Sequence, residues 1–250
     1  MILRFSALEG KVKSVYQNTI LQSVSWQSRL TLNIKNVDCI FPGFMLGDFA
    51  VFHGSSAIQS LLTKLCVRAQ LPYQLGGLET NVLFVDGGNS FRLYDASAFA
   101  QACELDPRKV LDRIFVSRAF TAYQLTSLVF EQLQSAIDDY DSRFVVVSNI
   151  VQLYLDSDVP KKEAQEVFLQ LTSYLADFTK MNKVILVATY TPCFWSKRNS
   201  FFKEVLFGRA NVVASVRKFR SRPHFVLEKH QFFNLEKVEF PSDEVTLADF

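Results

Sequence analysis

Six short runs of apolar residues, rich in valine, leucine, isoleucine and phenylalanine, alternate along the chain with segments of helical periodicity. They predict strands near 28–34, 48–53, 81–86, 113–117, 143–148 and 183–189, and helices over 57–70, 94–104, 122–138 and 161–181. Strands joined by helices form parallel sheets with helices on both faces. Two later runs, 211–219 and 223–229, indicate an antiparallel hairpin. The pattern therefore predicts an α/β fold, a doubly wound and mostly parallel sheet with a C-terminal hairpin at its edge.

The composition favours one compact domain over residues 1–250. With 49% hydrophobic and 21% charged residues, the chain can bury a sizeable core. The four cysteines form no C-x-x-C pair, which indicates reduced thiols and argues against a zinc site; they are Cys39, Cys66, Cys103 and Cys193. No apolar run approaches the roughly 18 residues of a membrane span, and the N-terminus lacks a secretory pattern. We expect a cytoplasmic protein, associated with the nucleoid, or a nuclear protein in a eukaryote.

A strand, a tight turn and a helix over residues 48–65 stand where a phosphate-binding loop would be. Such a loop follows G-x-x-x-x-G-K-[ST], because the glycines let backbone N–H groups approach the phosphates, the lysine neutralises charge and the hydroxyl holds Mg²⁺. Counting from Gly54, the second glycine falls on Gln59, the lysine on Ser60 and the hydroxyl residue on Leu61. The phosphate contacts of the motif are thus absent while its strand and helix remain.

Four further segments follow in order; each contains an apolar strand, and the first three continue into a polar turn or helix start. They are Asn81–Arg92 (NVLFVDGGNSFR), Asp112–Gln124 (DRIFVSRAFTAYQ), Arg143–Tyr154 (RFVVVSNIVQLY) and Lys183–Tyr190 (KVILVATY). Together with the strand and turn around Gly54, these segments resemble the core of the RecA/RadA recombinases. The resemblance extends from about residue 32 to about residue 241. It includes no helical N-terminal DNA-binding domain.

The resemblance implies a RecA-like ATPase core that has lost its nucleotide chemistry. In the family, a glutamate at the position of Gly88 orients the attacking water, and an aspartate at the position of Ser148 helps to hold Mg²⁺. A glutamine that senses the terminal phosphate stands at the position of Tyr190. We therefore expect a pseudo-ATPase with no catalytic residues, no metal and no cofactor. The alternative is an ATPase whose phosphate contacts have moved to other residues, such as Ser55, Ser56 and Ser60 with a lysine from a neighbouring molecule.

A basic segment with interleaved aromatic residues follows the last predicted parallel strand. Between residues 197 and 222, eight basic residues stand against one acid, Glu204, or about +7 locally, whereas the whole chain carries +2. Such a segment attracts phosphate backbones, and exposed aromatic rings can stack on bases. The predicted DNA-binding residues are Lys197, Arg198, Lys203, Arg209, Arg217, Lys218, Arg220, Arg222 and Trp195. In the alternative reading, the aromatic residues pack a helix onto the domain and the basic residues form a solvated face.

These observations predict a non-catalytic recombinase paralogue that serves as an accessory factor in homologous recombination and DNA repair. It would bind DNA, single-stranded in preference to double-stranded, or the active recombinase, or another paralogue, without hydrolysing ATP. Without ATP at a subunit joint, a monomer, a two-fold homodimer or a mixed complex is favoured over a ring or a filament. The alternative of a different class is a protein-interaction module that makes no DNA contact.

Overall fold

The computed structural model describes residues 29–192, 198–219 and 222–240. In chain order the elements are β1 (Arg29–Leu30), α1 (Lys35–Ile40), β2 (Phe44–Met45), β3 (Phe49–Gly54), α2 (Ala57–Arg68), β4 (Asn81–Asp86), α3 (Leu93–Ala102), α4 (Pro107–Leu111), β5 (Ile114–Arg118), α5 (Ala122–Ser127), a π-helical segment (Leu128–Gln132), α6 (Leu133–Asp139), β6 (Ser142–Ser148), α7 (Lys161–Asn182), β7 (Ile185–Tyr190), α8 (Asn199–Arg209), β8 (Val212–Phe219), β9 (Arg222–Lys229) and β10 (Lys237–Glu239). Short 3₁₀ turns lie at Tyr73–Leu75 and Gln152–Leu155.

Within the described residues, eight strands form the main sheet in the order β10-β9-β8-β3-β7-β6-β4-β5. The six strands from β8 to β5 are parallel to their neighbours, whereas β9 and β10 are antiparallel additions at one edge. The predicted fold class is therefore confirmed, including the hairpin. The last strand, β10, which pairs antiparallel with β9, was not predicted.

The helices cover both faces of the sheet because the strands alternate apolar side chains between two cores. In β6, Phe144 and Val146 pack with α2 and α3, whereas Val145 and Val147 pack with α5, α6, α7 and α8. All four side chains are fully buried. Strands with two apolar faces are typical of central parallel strands.

The first predicted strand, 28–34, is wrong in its extent. Of its described part, residues 29–34, only Arg29 and Leu30 are in strand conformation, and they pair with β2 in a separate two-stranded sheet. Asn33 has a φ of 53°, a left-handed conformation that a strand cannot contain. The chain turns there and enters α1 at Lys35.

Two short or unexpected helices have identifiable local causes. At α4, Pro107 occupies the first turn and the Asp106 carboxylate accepts a hydrogen bond from the Arg108 N–H, a capping arrangement that the sequence already contained. Helix α8 is held by Phe202, which is fully buried and contacts Phe168 edge-on at a ring-centroid distance of 5.0 Å.

Among the described residues, no helix combines the length and the apolar content that a membrane span requires.

Replacing Phe202 by alanine should lower the free energy of unfolding by about 3–5 kcal/mol, because the ring is fully buried between α7 and α8. The matched control is Phe120→Ala, since the Phe120 side chain is 72% exposed and its loss should change stability by less than about 0.5 kcal/mol. Urea denaturation measures both. Equal, small losses in the two variants would contradict the packing of α8.

Candidate functional site at the carboxyl edge of the sheet

The positions that the sequence marked as a nucleotide site do come together. Gly54, Ser148 and Tyr190 are the last residues of β3, β6 and β7, and Gly88 follows the end of β4. These strands are parallel, so their carboxyl ends share one edge of the sheet. Ligands of open α/β sheets bind at this edge. This edge is therefore the candidate ligand-binding site of the chain.

The turn between β3 and α2 consists of only two residues, Ser55 and Ser56. The helix begins at Ala57, so the three motif positions Gln59, Ser60 and Leu61 lie within it rather than in a loop. Ser60 and Leu61 are fully buried.

Backbone N–H groups that a phosphate loop would direct at its ligand are used within the turn. Ser55 N donates to Val216 O at 2.8 Å, Ile58 N to Ser55 O at 3.1 Å and Gln59 N to Ser56 O at 3.0 Å. The turn is thus bonded to itself and to the neighbouring strand β8.

The presence of glycine at position 54 has a structural explanation that does not involve a phosphate. Its φ is 124°, and a Cβ at this position would lie 2.2 Å from the carbonyl oxygen of Val216. Only glycine permits so close an approach of β3 to β8. The glycine therefore serves the pairing of the two strands.

The lysine position of the motif is occupied by a polar cluster that includes a carboxylate. Ser60 Oγ donates to Asp95 Oδ2 at 3.2 Å, and Arg92 Nη1 donates to the same oxygen at 3.2 Å. Ser60 itself carries no charge, and the Arg92 guanidinium beside it, 3.5 Å from Ser60 Oγ, is paired with the Asp95 carboxylate.

Asp86, the last residue of β4, is the central carboxylate of this edge. It is 1% exposed and accepts hydrogen bonds from the N–H groups of Ser90, Phe91 and Gly88 and from Ser148 Oγ, the last at 2.8 Å. Burial opposes its ionisation, but these hydrogen bonds outweigh that cost, so the pKa of Asp86 lies below its ordinary value. Asp86 is therefore a charged structural anchor that fixes the loop after β4 and ties β4 to β6.

Asn149 fills the space beside Gly88. A Cβ added to Gly88 would lie 2.1 Å from Asn149 Nδ2. Asn149 is itself held from both sides, because its N–H donates to Thr189 Oγ1 at 2.8 Å and its Oδ1 accepts from Thr191 Oγ1 at 2.7 Å. A side chain at position 88 would displace this asparagine.

Tyr190 is a buried packing residue, 3% exposed. Its hydroxyl accepts a hydrogen bond from Asn199 Nδ2 at 2.6 Å, and its ring meets Phe207 edge-on at 5.8 Å between ring centroids. Both partners belong to α8. The tyrosine thus attaches α8 to the end of β7.

A second charged cluster lies beside Gly54, on β3, β8 and β9. Glu228 accepts hydrogen bonds from Ser215 Oγ at 2.6 Å and from Arg217, and its Oε2 lies 2.8 Å from His53 Nε2. Burial raises the pKa of Glu228, but the bonds from His53 and Ser215 and the charges of His53 and Arg217 lower it more strongly, to about 2. His53 therefore belongs to a hydrogen-bonded cluster that joins β3 to β9.

The predicted DNA-binding residues are divided between two edges of the sheet. Arg217 and Lys218 at the end of β8 and Arg222 at the start of β9 lie at the carboxyl edge, whereas Arg209 precedes β8 and lies at the opposite edge. Lys203 lies on α8 with its Nζ 5.3 Å from the centre of the Phe207 ring. Trp195, Lys197 and Arg220 lie outside the described residues.

Several of these basic side chains have partners from other elements. Arg222 Nη1 lies 2.8 Å from Glu239 Oε1 of β10, and Arg217 pairs with Glu228. Arg198 Nη1 donates to Val159 O at 3.0 Å. Lys218 and Arg209 are exposed. The clustered positive charge counted along the sequence is therefore partly neutralised in space.

Sequence reasoning missed Asp86, Asn149 and Glu228 as organisers of the edge. An aspartate at the end of an apolar strand and before Gly-Gly-Asn-Ser was a usable signal, because such a carboxylate accepts bonds from the following N–H groups. Glu228 gave no local signal, since its partners His53 and Ser215 are distant in the chain.

The fold and this edge define the chain as a RecA-like α/β protein, and comparison with known proteins gives its family. The Rad51 family model matches residues 41–192, well over half of the chain. The chain is 29% identical over 170 residues to the meiotic recombination protein DMC1 of Saccharomyces cerevisiae, which is 68% of this chain and 47% of that protein. It is 27% identical over 157 residues to the DNA repair protein RAD51 of Mycosarcoma maydis, or 61% of this chain and 45% of that protein. The chain belongs to the Rad51 family, and the matched part spans a little under half of each relative.

Replacing Ser148 by alanine should destabilise the protein by about 1–3 kcal/mol at neutral pH, because the buried Asp86 carboxylate loses a hydrogen-bond donor. The pKa of Asp86 lies below its ordinary value, so its contribution is present above that value and is lost as the pH falls through the folded-state pKa. The difference between wild type and variant should therefore shrink in acid. Chemical denaturation at several pH values measures it. The control is Ser97→Ala, at a half-buried serine whose hydroxyl donates to Leu93 O; a difference independent of pH would contradict this role of Asp86.

Glu228→Gln should lower the free energy of unfolding at neutral pH, because His53, Ser215 and Arg217 lose a charged acceptor. With a folded-state pKa of about 2 against an ordinary 4.5, the stabilisation from Glu228 is present above pH 4.5 and is lost as the pH falls toward 2. The stability of the variant should therefore depend less on pH over this window. Glu239→Gln, which disrupts the exposed ion pair with Arg222 and a 4.0 Å contact with His224 Nε2, is the matched control and should cost about 0–1 kcal/mol.

Proposed function

We propose that this chain is a non-catalytic member of the Rad51 family that acts as an accessory factor in recombination and DNA repair. One observation carries the proposal: at the carboxyl edge, the positions that would contact ATP are occupied by hydrogen bonds of the protein to itself. The Asp86–Ser148 pair, the Asn149–Thr191 pair and the two-residue turn after Gly54 are the main ones. Such an edge supports a scaffold better than a hydrolytic site.

The chemistry of phosphoryl transfer supports the same proposal. Transfer needs positively charged side chains beside the phosphates, a carboxylate that helps to hold Mg²⁺ and a group that positions the nucleophile. At the corresponding positions stand Ser60, Ser148 and Gly88, which supply no positive charge, no carboxylate and no side chain. An ATPase with relocated contacts would need a substitute for each of the three.

The proposed ligand is DNA, single-stranded in preference to double-stranded. Two observations support it. The relatives are named a DNA repair protein and a meiotic recombination protein, and exposed Lys218 and Arg222 lie at the end of the β8–β9 hairpin, on the carboxyl edge. An active recombinase or another paralogue is the proposed protein partner, in a homodimer or a mixed complex.

A second candidate function, a protein-interaction module without DNA contact, is favoured by the ion pairs of the hairpin. Glu228 and Glu239 neutralise Arg217 and Arg222, and the Phe219 ring lies 4.3 Å from Lys237 Nζ. A surface whose charges are paired internally attracts phosphate less strongly. DNA-binding measurements separate the two candidates.

The test is fluorescence anisotropy with labelled single- and double-stranded oligonucleotides over a range of salt, with and without ATP and Mg²⁺. Wild-type protein should bind with a strong salt dependence that ATP does not alter. In Lys218→Gln/Arg222→Gln, the negative slope of log K against log salt should become shallower by about 1.4 for a single strand, because each lost phosphate contact contributes about 0.7. The matched control is Lys109→Gln/Arg209→Gln, which removes the same charge at the opposite edge and should keep the slope.

The outcomes distinguish the alternatives. Absence of binding at low salt would reject DNA contact and leave the interaction module. Equal weakening in the two double variants would reject the hairpin as the contact surface. Binding that requires ATP would contradict the assignment of the edge as a scaffold and favour relocated phosphate contacts.

A further inference from the structure

Phe120 is an aromatic residue that the fold leaves exposed at the carboxyl edge of the sheet. It lies two residues after the end of β5 and is 72% exposed. Its ring makes no aromatic or cation–π contact with the described residues. Because a ring in water contributes little to stability, packing does not account for a phenylalanine at this position.

The backbone at Phe120 is fixed on both sides. Ala119 N donates to Asp86 O at 3.1 Å, and Phe120 N donates to Gln124 Oε1 at 2.8 Å. The next residue, Thr121, caps α5 by accepting a hydrogen bond from Gln124 N at 3.2 Å. The ring is therefore presented to solvent from an ordered turn, which lowers the entropy that a ligand contact would cost.

The surroundings of the ring are polar. The neighbouring exposed residues all carry polar groups; they are Ser117, Arg118, Thr121, Tyr123 and Gln124. A protein partner needs an apolar core in the contact surface, with polar groups at its rim. A single ring among polar groups instead suits a flat ligand with polar edges, such as a nucleobase.

The charges at this end of the edge are balanced. Arg118 Nε lies 3.9 Å from Asp86 Oδ2, and Glu163 accepts a hydrogen bond from the Tyr123 hydroxyl at 2.9 Å. Attraction of phosphates therefore has to come from another part of the same edge, where the β8–β9 hairpin lies. The ring itself contributes by stacking alone.

We infer that Phe120 stacks on a base of a single DNA strand that the β8–β9 hairpin holds by its phosphates. The inference rests on the proposed function, because it assigns a further contact to the same ligand. In the sheet order, β3, β7, β6 and β4 lie between β8 and β5, which separates the two contacts by about 24 Å at about 4.8 Å per strand. At the stacked spacing of roughly 3.4 Å per nucleotide, a strand of about seven nucleotides reaches both contacts.

Stacking on Phe120 also gives the chain a preference for single strands. In a duplex each base is paired and is covered by its neighbours on both faces, so a protein ring reaches a base only where the strand is unpaired. Phosphates occur in both forms of DNA, so contacts of the hairpin alone do not separate them.

The test compares wild-type protein with Phe120→Leu, which keeps an apolar side chain but removes the flat ring. Anisotropy is measured with a labelled strand of about 15 thymidines, long enough to reach both contacts, and with an abasic strand of the same length. Phe120→Leu should bind the thymidine strand about 5- to 150-fold more weakly, the effect of one lost stacking contact. It should bind the abasic strand as the wild type does, and its salt slope should be unchanged because no charge is lost.

Two further variants serve as controls. Phe120→Tyr keeps a flat ring and should bind both strands as the wild type does. Phe232→Leu removes another exposed ring, 53% exposed, from the loop after β9 at the opposite edge of the sheet, and should also retain wild-type binding.

The outcomes separate this inference from the proposed function. Failure of the wild type to bind either strand would reject the proposed function, and the inference with it. Wild-type affinity of Phe120→Leu for the thymidine strand would overturn the inference alone. So would an equal loss on the abasic strand or an equal loss in Phe232→Leu, because neither is an effect of stacking at Phe120.

Discussion

The buried carboxylate of Asp86 is the interaction on which the carboxyl edge depends. Its oxygens accept bonds from three backbone N–H groups of the following loop and from the hydroxyl of Ser148, and its backbone carbonyl accepts from Ala119 N at 3.1 Å. One residue thus connects β4 to the loop before α3, to β6 and to the chain after β5. Removing a charge from water costs free energy, and this many donors are needed to offset the cost.

The strands could be predicted from the sequence because their physical signal is local. Runs such as the one through Val145 and Val147 are apolar on both faces, and only a buried parallel strand accommodates that pattern. Helix α8 was harder, because the aromatic residues 201 and 202 fit either an exposed stacking surface or a packed helix. The full burial of Phe202 shows that α8 is packed onto the domain.

The site was predictable in position but not in content. Spacing from Gly54 located the motif positions, yet the residues that occupy the edge, Asn149 and Glu228, come from distant parts of the chain. The charge count had the same weakness. A window along the sequence registers Arg217 and Arg222, but their partners are supplied by β9 and β10, which only the sheet order brings alongside.

The position of β3 in the sheet has a consequence for how the chain is made. Its two neighbours are β7 and β8, with Phe49 opposite Leu186 and Ala50 opposite Val212, whereas β4, β5 and β6 find one another within a shorter stretch of chain. During synthesis, β3 therefore emerges early and keeps two unpaired edges until most of the chain has followed. Long-range parallel pairing is slow, and exposed strand edges promote aggregation. In this topology the central strand is among the first to be made, and its pairing is completed only when the last third of the sheet has been made.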